Sequence, residues 1–150
     1  MDIDIVCEDN KYLPEYANAS DACMDIKIKI EHKSGSFILQ PNGCKVFRTG
    51  LKVKVPDDHV MLIFPRSSLG IKKKCRLMNS VGVIDSGYRD EIKLAIHNFG
   101  DYSVEFTDGE RLAQFMIIPR PKLNLNLVAD DNNFKIGDRG GGIGSTNAEQ

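Results

Sequence analysis

The sequence has no excess of either charge: 20 lysines and arginines stand against 21 aspartates and glutamates, a formal net charge of −1. That balance removes the electrostatic case for gripping a long nucleic acid by its phosphates. No apolar run approaches membrane-spanning length, and Met1-Asp2-Ile3-Asp4-Ile5 is acidic where a secretory signal is basic. No membrane partner is expected, and the chain reads as soluble, in the cytoplasm or another intracellular compartment. The cysteines are few and scattered. Cys7, Cys23, Cys44 and Cys75 form no CxxC pair and have no His-rich companion segment, which argues for free thiols over zinc or disulfides. Helical periodicity is almost missing, and there is no internal repeat.

What the chain does have is period-two alternation. With 150 residues it is long enough for one domain with its own core. Asp25-Ile26-Lys27-Ile28-Lys29-Ile30 and Leu51-Lys52-Val53-Lys54-Val55 put aliphatic groups on one face and charges on the other. Val60 to Phe64 is continuously apolar, as for a strand covered on both faces. Ile92 to Ile96, Val104 to Phe106, Phe115 to Ile118 and Leu123 to Leu127 complete the expected strands. Turn signals at Ser34-Gly35, Pro41-Asn42-Gly43, Asn98 to Asp101 and Asp108-Gly109 separate them. Many short strands predict an all-β sandwich or barrel over residues 1–130. One short helix is expected from Ser67 or Ser68, capped by a serine, toward Lys74. From about Asp131 the chain turns polar and glycine-rich, so residues 131–150 are expected to be a separate tail.

Gly82-Val83-Ile84-Asp85-Ser86-Gly87-Tyr88 carries the most chemistry. Valine and isoleucine favour a strand and Ser86-Gly87 a turn, which predicts Asp85 and Tyr88 at the mouth of a hairpin. A carboxylate on rigid backbone beside a flat ring suits nucleotide hydrolysis. Alone, the stretch reads better as a turn-forming Asp85 and a rim aromatic. Three further stretches change that reading: Phe64-Pro65-Arg66-Ser67-Ser68-Leu69-Gly70, Gly109-Glu110-Arg111-Leu112-Ala113-Gln114-Phe115, and Arg139-Gly140-Gly141-Gly142-Ile143-Gly144-Ser145-Thr146. With Ala22-Cys23-Met24-Asp25-Ile26, their order and spacing resemble the trimeric dUTPase family across Leu13 to Thr146.

The resemblance implies a distorted jelly-roll (β-clip) homotrimer that hydrolyses dUTP to dUMP and pyrophosphate. Such an activity limits uracil in DNA and supplies dUMP for dTTP synthesis. Asp85 matches the family's water-holding catalytic aspartate, and Tyr88 its sugar-facing ring. Asn79 matches the uracil-reading position, helped by backbone from Val83 and Ile84 to Asp85 and near Lys93; by itself it could merely close a turn. Arg66, Ser67 and Ser68 match the phosphate motif contributed by a neighbouring subunit, though a helix start with a surface arginine reads the same way. Gln114 matches the glutamine that contacts the α-phosphate and orients the water; by itself it could be an edge-strand polar group. Arg139, Ile143 and Gly144 match a tail strap over the substrate. Mg²⁺ is implied, held by triphosphate oxygens and water with no direct protein ligand, and Asp25 organises its water shell or subunit contacts. Lys72-Lys73-Lys74-Cys75-Arg76 is expected to be a solvated turn that also helps draw in a polyanion.

Some positions depart from the family pattern. Cys23 and Asp90 replace glycines, the tail motif is one residue short, and Ile143 stands for a phenylalanine that stacks on uracil. Lower affinity, not different chemistry, is the expectation. The alternatives are a dCTP deaminase of the same fold, which would need a carboxylate near Ala95, and a nucleotide-dependent regulatory binding protein.

Overall fold

The computed structural model describes residues 1–130, so Arg139, Ile143, Gly144 and the strap lie outside the described residues. The elements in chain order are β1 (Ile5–Cys7), β2 (Met24–Lys27), β3 (Ser36–Leu39), β4 (Cys44–Arg48), β5 (Leu51–Val53) and β6 (His59–Pro65). Then come α1 (Ser67–Ile71), β7 (Cys75–Leu77), β8 (Gly82–Ile84), β9 (Lys93–Asn98), β10 (Val104–Thr107) and β11 (Arg111–Pro119). The largest sheet has the order β2-β11-β6-β8, and a second runs β4-β9-β7. The pairs β1-β5 and β10-β3 complete an antiparallel jelly-roll-like body. Among the described residues no helix is long and apolar enough to cross a membrane.

The alternation seen in the sequence builds the core. Ile26 and Ile28 are almost wholly buried, as are Leu51, Val53 and Val55, while the intervening lysines point outward. Each such aliphatic side chain contributes about 2 kcal/mol on burial. Phe47 joins the sheets, packing edge-on to Phe37 at 5.8 Å and tilted on Phe106 at 5.2 Å. β6 behaves more subtly than its apolar run implies: Met61 and Ile63 are buried, but Val60, Leu62 and Phe64 are only half covered.

Three expectations need correction. The helix ends at Ile71 and not Lys74, and its N-cap is Arg66, whose side chain makes no capping bond, so neither serine is the cap. Its first turn is tied down by the Leu69 amide on the Arg66 carbonyl at 3.0 Å and the Arg66 amide on Leu112 at 3.0 Å. β8 and β9 form no hairpin ladder, because β8 pairs with β6 while β9 pairs with β4 and β7. Leu123 to Leu127 is not a strand. It finds no partner edge within the described chain, and Leu123, Leu125 and Leu127 are 79, 92 and 102% exposed.

Two half-buried carboxylates pin loops to this frame. Asp108 accepts the Tyr12 hydroxyl at 2.8 Å, the Ile30 amide at 2.8 Å and the Lys11 ammonium at 2.7 Å. Glu91 accepts the Gly50 amide at 2.8 Å, the Thr49 amide at 3.0 Å and Arg48 Nε at 2.9 Å. Burial alone would raise both carboxyls, but these donors outweigh it and hold both below the ordinary carboxylate range. A carboxyl that titrates lower when folded stabilises fully above its unfolded pKa and loses that stability as pH falls through the folded one. Melting curves should therefore show Tm dropping progressively below about pH 5. Asp108→Asn should lower Tm at neutral pH yet shrink that acid drop; an unchanged pH slope in the variant would contradict this account.

Candidate active site

The chemistry gathers in two places. The first is a recess of about 70 Å³ lined by Ile63, Leu77, Asn79, Gly82, Val83, Ile84, Lys93, Leu94 and Ala95. It exists because β8 and β9 belong to different sheets and stand side by side without pairing. β8 is the edge strand of its sheet, and β9 near Lys93 extends beyond its ladder with β7, so main-chain donors and acceptors there are open to whatever enters between the two strands. Gly82 fits closely there: a Cβ would meet Ile63 Cβ at 3.1 Å, pressing on the register partner that holds β8 to β6.

Asp85 follows the last β8 residue of this recess and is exposed. A tight turn follows, closed by the Tyr88 amide on the Asp85 carbonyl at 3.0 Å. The Arg89 guanidinium clips it from outside, donating to the Ser86 and Tyr88 carbonyls. The Tyr88 hydroxyl donates to the Glu91 carbonyl at 2.8 Å, leaving the ring 37% exposed. Asp90 is not among the non-glycine residues with positive φ, which are Asn42, Lys74 and Ser80, so its backbone needs no glycine.

The second group is electropositive. Asp25 is only 4% exposed and sits between two guanidinia, 3.0 Å from Arg66 Nε and 3.3 Å from Arg111 Nη1. One carboxylate cannot neutralise two arginines, so the pair keeps a net positive charge suited to phosphate oxygens. Gln114 lies opposite both Asp25 and Phe64 in the sheet and donates to the Pro65 carbonyl at 3.4 Å. Ser67 and Ser68 open α1 beside Arg66, exposed and half-buried respectively. Cys23 is nearby in sequence, its thiol pushed up by burial and by the Asp25 charge. Lys73 is already engaged, with Glu110 at 2.8 Å and over the Phe106 ring at 4.6 Å.

The register keeps these groups apart within one chain. Ile84 pairs with Met61, whereas Arg66 follows Pro65 at the opposite end of β6. At about 3.3 Å per residue, Asp85 and Arg66 are separated by roughly 20 Å along the sheet. The structure thus unites Asn79, Val83, Ile84 and Lys93, with Asp85 and Tyr88 beside them. It places Asp25, Arg66 and Gln114 together elsewhere. Arg111 and Glu91 were not singled out from sequence; Arg111 was inside a quoted motif, but nothing local marked its partner.

A protein-family model described as dUTPase matches residues 9–146. The chain is 36% identical over 151 aligned residues to deoxyuridine 5'-triphosphate nucleotidohydrolase of Methylobacillus flagellatus, covering 97% of each. A crystal structure of dUTPase from Streptococcus mutans superposes with TM-score 0.71 and 26% identity, covering 81% of this chain and 98% of that one. A dUTPase from phage phi11 of S. aureus, described for its structural Mg(II) ion, superposes with TM-score 0.74 at 21% identity over 87% of this chain and 98% of its own. The last likeness concerns fold alone. Taken with a recess between strands of two different sheets and a carboxylate at its rim, the match over nearly the whole length places this chain in the dUTPase family.

Proposed function

We propose that this protein is a dUTP diphosphatase whose active site is shared between copies of the chain. It hydrolyses dUTP to dUMP and pyrophosphate. The observation that carries the detailed reading is the recess between β8 and β9, lined by Asn79 and Lys93 and followed directly by Asp85. Uracil enters edge-on. The Asn79 amide and the main chain of Val83 and Ile84 complement its polar edge, and the narrow walls exclude a 5-methyl group. Tyr88 packs under the deoxyribose, where a 2′-hydroxyl would collide.

Asp85 holds the attacking water in line with the departing pyrophosphate and accepts its proton. Arg66, with Ser67 and Ser68, binds the phosphates, and Gln114 orients the α-phosphate and the water. These come from a neighbouring copy, which the roughly 20 Å separation within one chain supports. Asp25 fixes the Arg66 and Arg111 forks in the pose that meets the phosphates. Arg139, Ile143 and Gly144, outside the described residues, form the covering strap of a third copy. A homotrimer is the closed arrangement that gives every site the same three contributions. The exposed leucines at 123, 125 and 127 support assembly, since a row of bare apolar side chains marks a surface that a partner covers.

Dependence on Mg²⁺ is general in the family. No three His, Cys, Asp or Glu are grouped to hold a metal among the described residues, and both Asp25 oxygens face guanidinia. In this reading a hydrated Mg²⁺ rides on the triphosphate oxygens, with Asp25 at most touching its waters. Bound there, it would neutralise charge on the triphosphate and favour pyrophosphate departure.

Pyrophosphate release measured against dUTP, dTTP, dCTP and UTP, with and without Mg²⁺, is the direct check. Release from dUTP alone, strengthened by Mg²⁺, is expected. Ammonia released from dCTP would instead mark a deaminase, and nucleotide binding without turnover a regulatory module.

A further inference from the structure

Tyr88 is held at both ends. Its amide is fixed on Asp85 at 3.0 Å and its hydroxyl on the Glu91 carbonyl at 2.8 Å. A ring that works by exclusion needs such fixing, because another side-chain rotamer would open space for the larger sugar. The outer anchor is only as firm as Glu91.

Glu91 is unusually firm. Its side chain is 13% exposed, and its carboxylate takes the Gly50, Thr49 and Arg48 donors described above. The next residue is sewn to the same turn: the Ile92 amide donates to Leu51 at 2.8 Å, and Thr49 Oγ1 donates to the Ile92 carbonyl at 2.7 Å. Gly50 shapes that turn with φ +68, where any side chain would be strained. Arg48 is itself braced by Glu31 at 2.6 Å and by Glu8. An unbroken set of contacts therefore leads from the β4–β5 turn to the phenolic oxygen of Tyr88.

We infer that Glu91 is a positioning residue for sugar selection. Its half-buried carboxylate, clamped by the β4–β5 turn, fixes the main-chain carbonyl that holds the Tyr88 hydroxyl. The ring is thereby kept where a 2′-hydroxyl collides with it. This rests on the reading of Tyr88 as the sugar-facing ring.

The test is the ratio of kcat/KM for dUTP to that for UTP in the full-length protein. Tyr88→Ala should lower the ratio by about 100-fold, and Tyr88→Phe and Glu91→Gln by about tenfold each. The Tyr88→Phe/Glu91→Gln double variant should lose no more than either single, because both cut one tether. If Tyr88→Ala keeps the ratio, the sugar-facing reading itself is wrong. If Tyr88→Ala lowers it while Tyr88→Phe and Glu91→Gln leave it intact, only the tether is wrong. Losses that multiply in the double variant also overturn the tether, as does a Glu91→Gln effect on Tm with no effect on the ratio. Should Glu91→Gln fail to fold, Arg48→Gln loosens the same carboxylate from a half-exposed position and must lower the ratio several-fold.

Discussion

Asp85→Asn should reduce kcat on dUTP by about a thousandfold while nucleotide affinity stays within about threefold. The amide has the size of the carboxylate, and Asp85 is exposed at the end of β8, so the substitution should spare the fold. It removes the charge and the second oxygen acceptor that hold a water and take its proton. The recess proposed to bind the base lies one residue away and is built from Asn79, β8 main chain and β9, none of which changes. Single-turnover hydrolysis gives the rate, and calorimetric titration with a non-hydrolysable analogue gives the affinity. A near wild-type kcat would remove Asp85 from the mechanism. Equal losses in rate and affinity would make it a binding group instead.

Two inactive proteins should make an active one. Arg66→Ala removes the proposed phosphate clamp from one end of β6, and Asp85→Asn the proposed water holder beyond its other end. If each site draws the two residues from different chains, refolding an equal mixture produces mixed trimers with some intact sites. In a closed ring each site needs one particular parent at each of two positions, which gives about a quarter of wild-type activity. Mixing without refolding should give little, so exchange of subunits is the control. If both residues serve one site from one chain, no mixture can recover activity. That outcome would contradict the separation drawn from the register of β6 with β8 and β11.

Much of the body was legible because burial and alternation are local signals. Ile26, Ile28, Leu51 and Val53 point inward as their spacing predicts. The same signal misled at Leu123 to Leu127: alternation identifies a residue's preference for a pleated surface, not which edge will supply one. The Ser86-Gly87 turn was read as a hairpin because turn chemistry looks alike whether the flanking strands pair or part. Only the pairing of β8 with β6 and of β9 with β4 decides it. Ser67 and Ser68 look like caps, yet Arg66 holds that place, since its backbone is already fixed to Leu112 across β11. Arg111 and Glu91 owe their roles to residues far away in sequence, Asp25 and the Thr49-Gly50 turn. No local pattern could announce them.

The open edge of β8, facing β9, carries an evolutionary implication. Peptide groups are the same whichever side chains a gene encodes, so on the proposed reading base choice rests on main chain and one side chain, the Asn79 amide, and few point mutations reach it. Altering it would require replacing Asn79, changing loop length or losing Gly82, whose absent Cβ lets β8 lie close to Ile63. Drift in the surrounding amino acids can therefore tune speed and assembly while the preferred heterocycle stays the same.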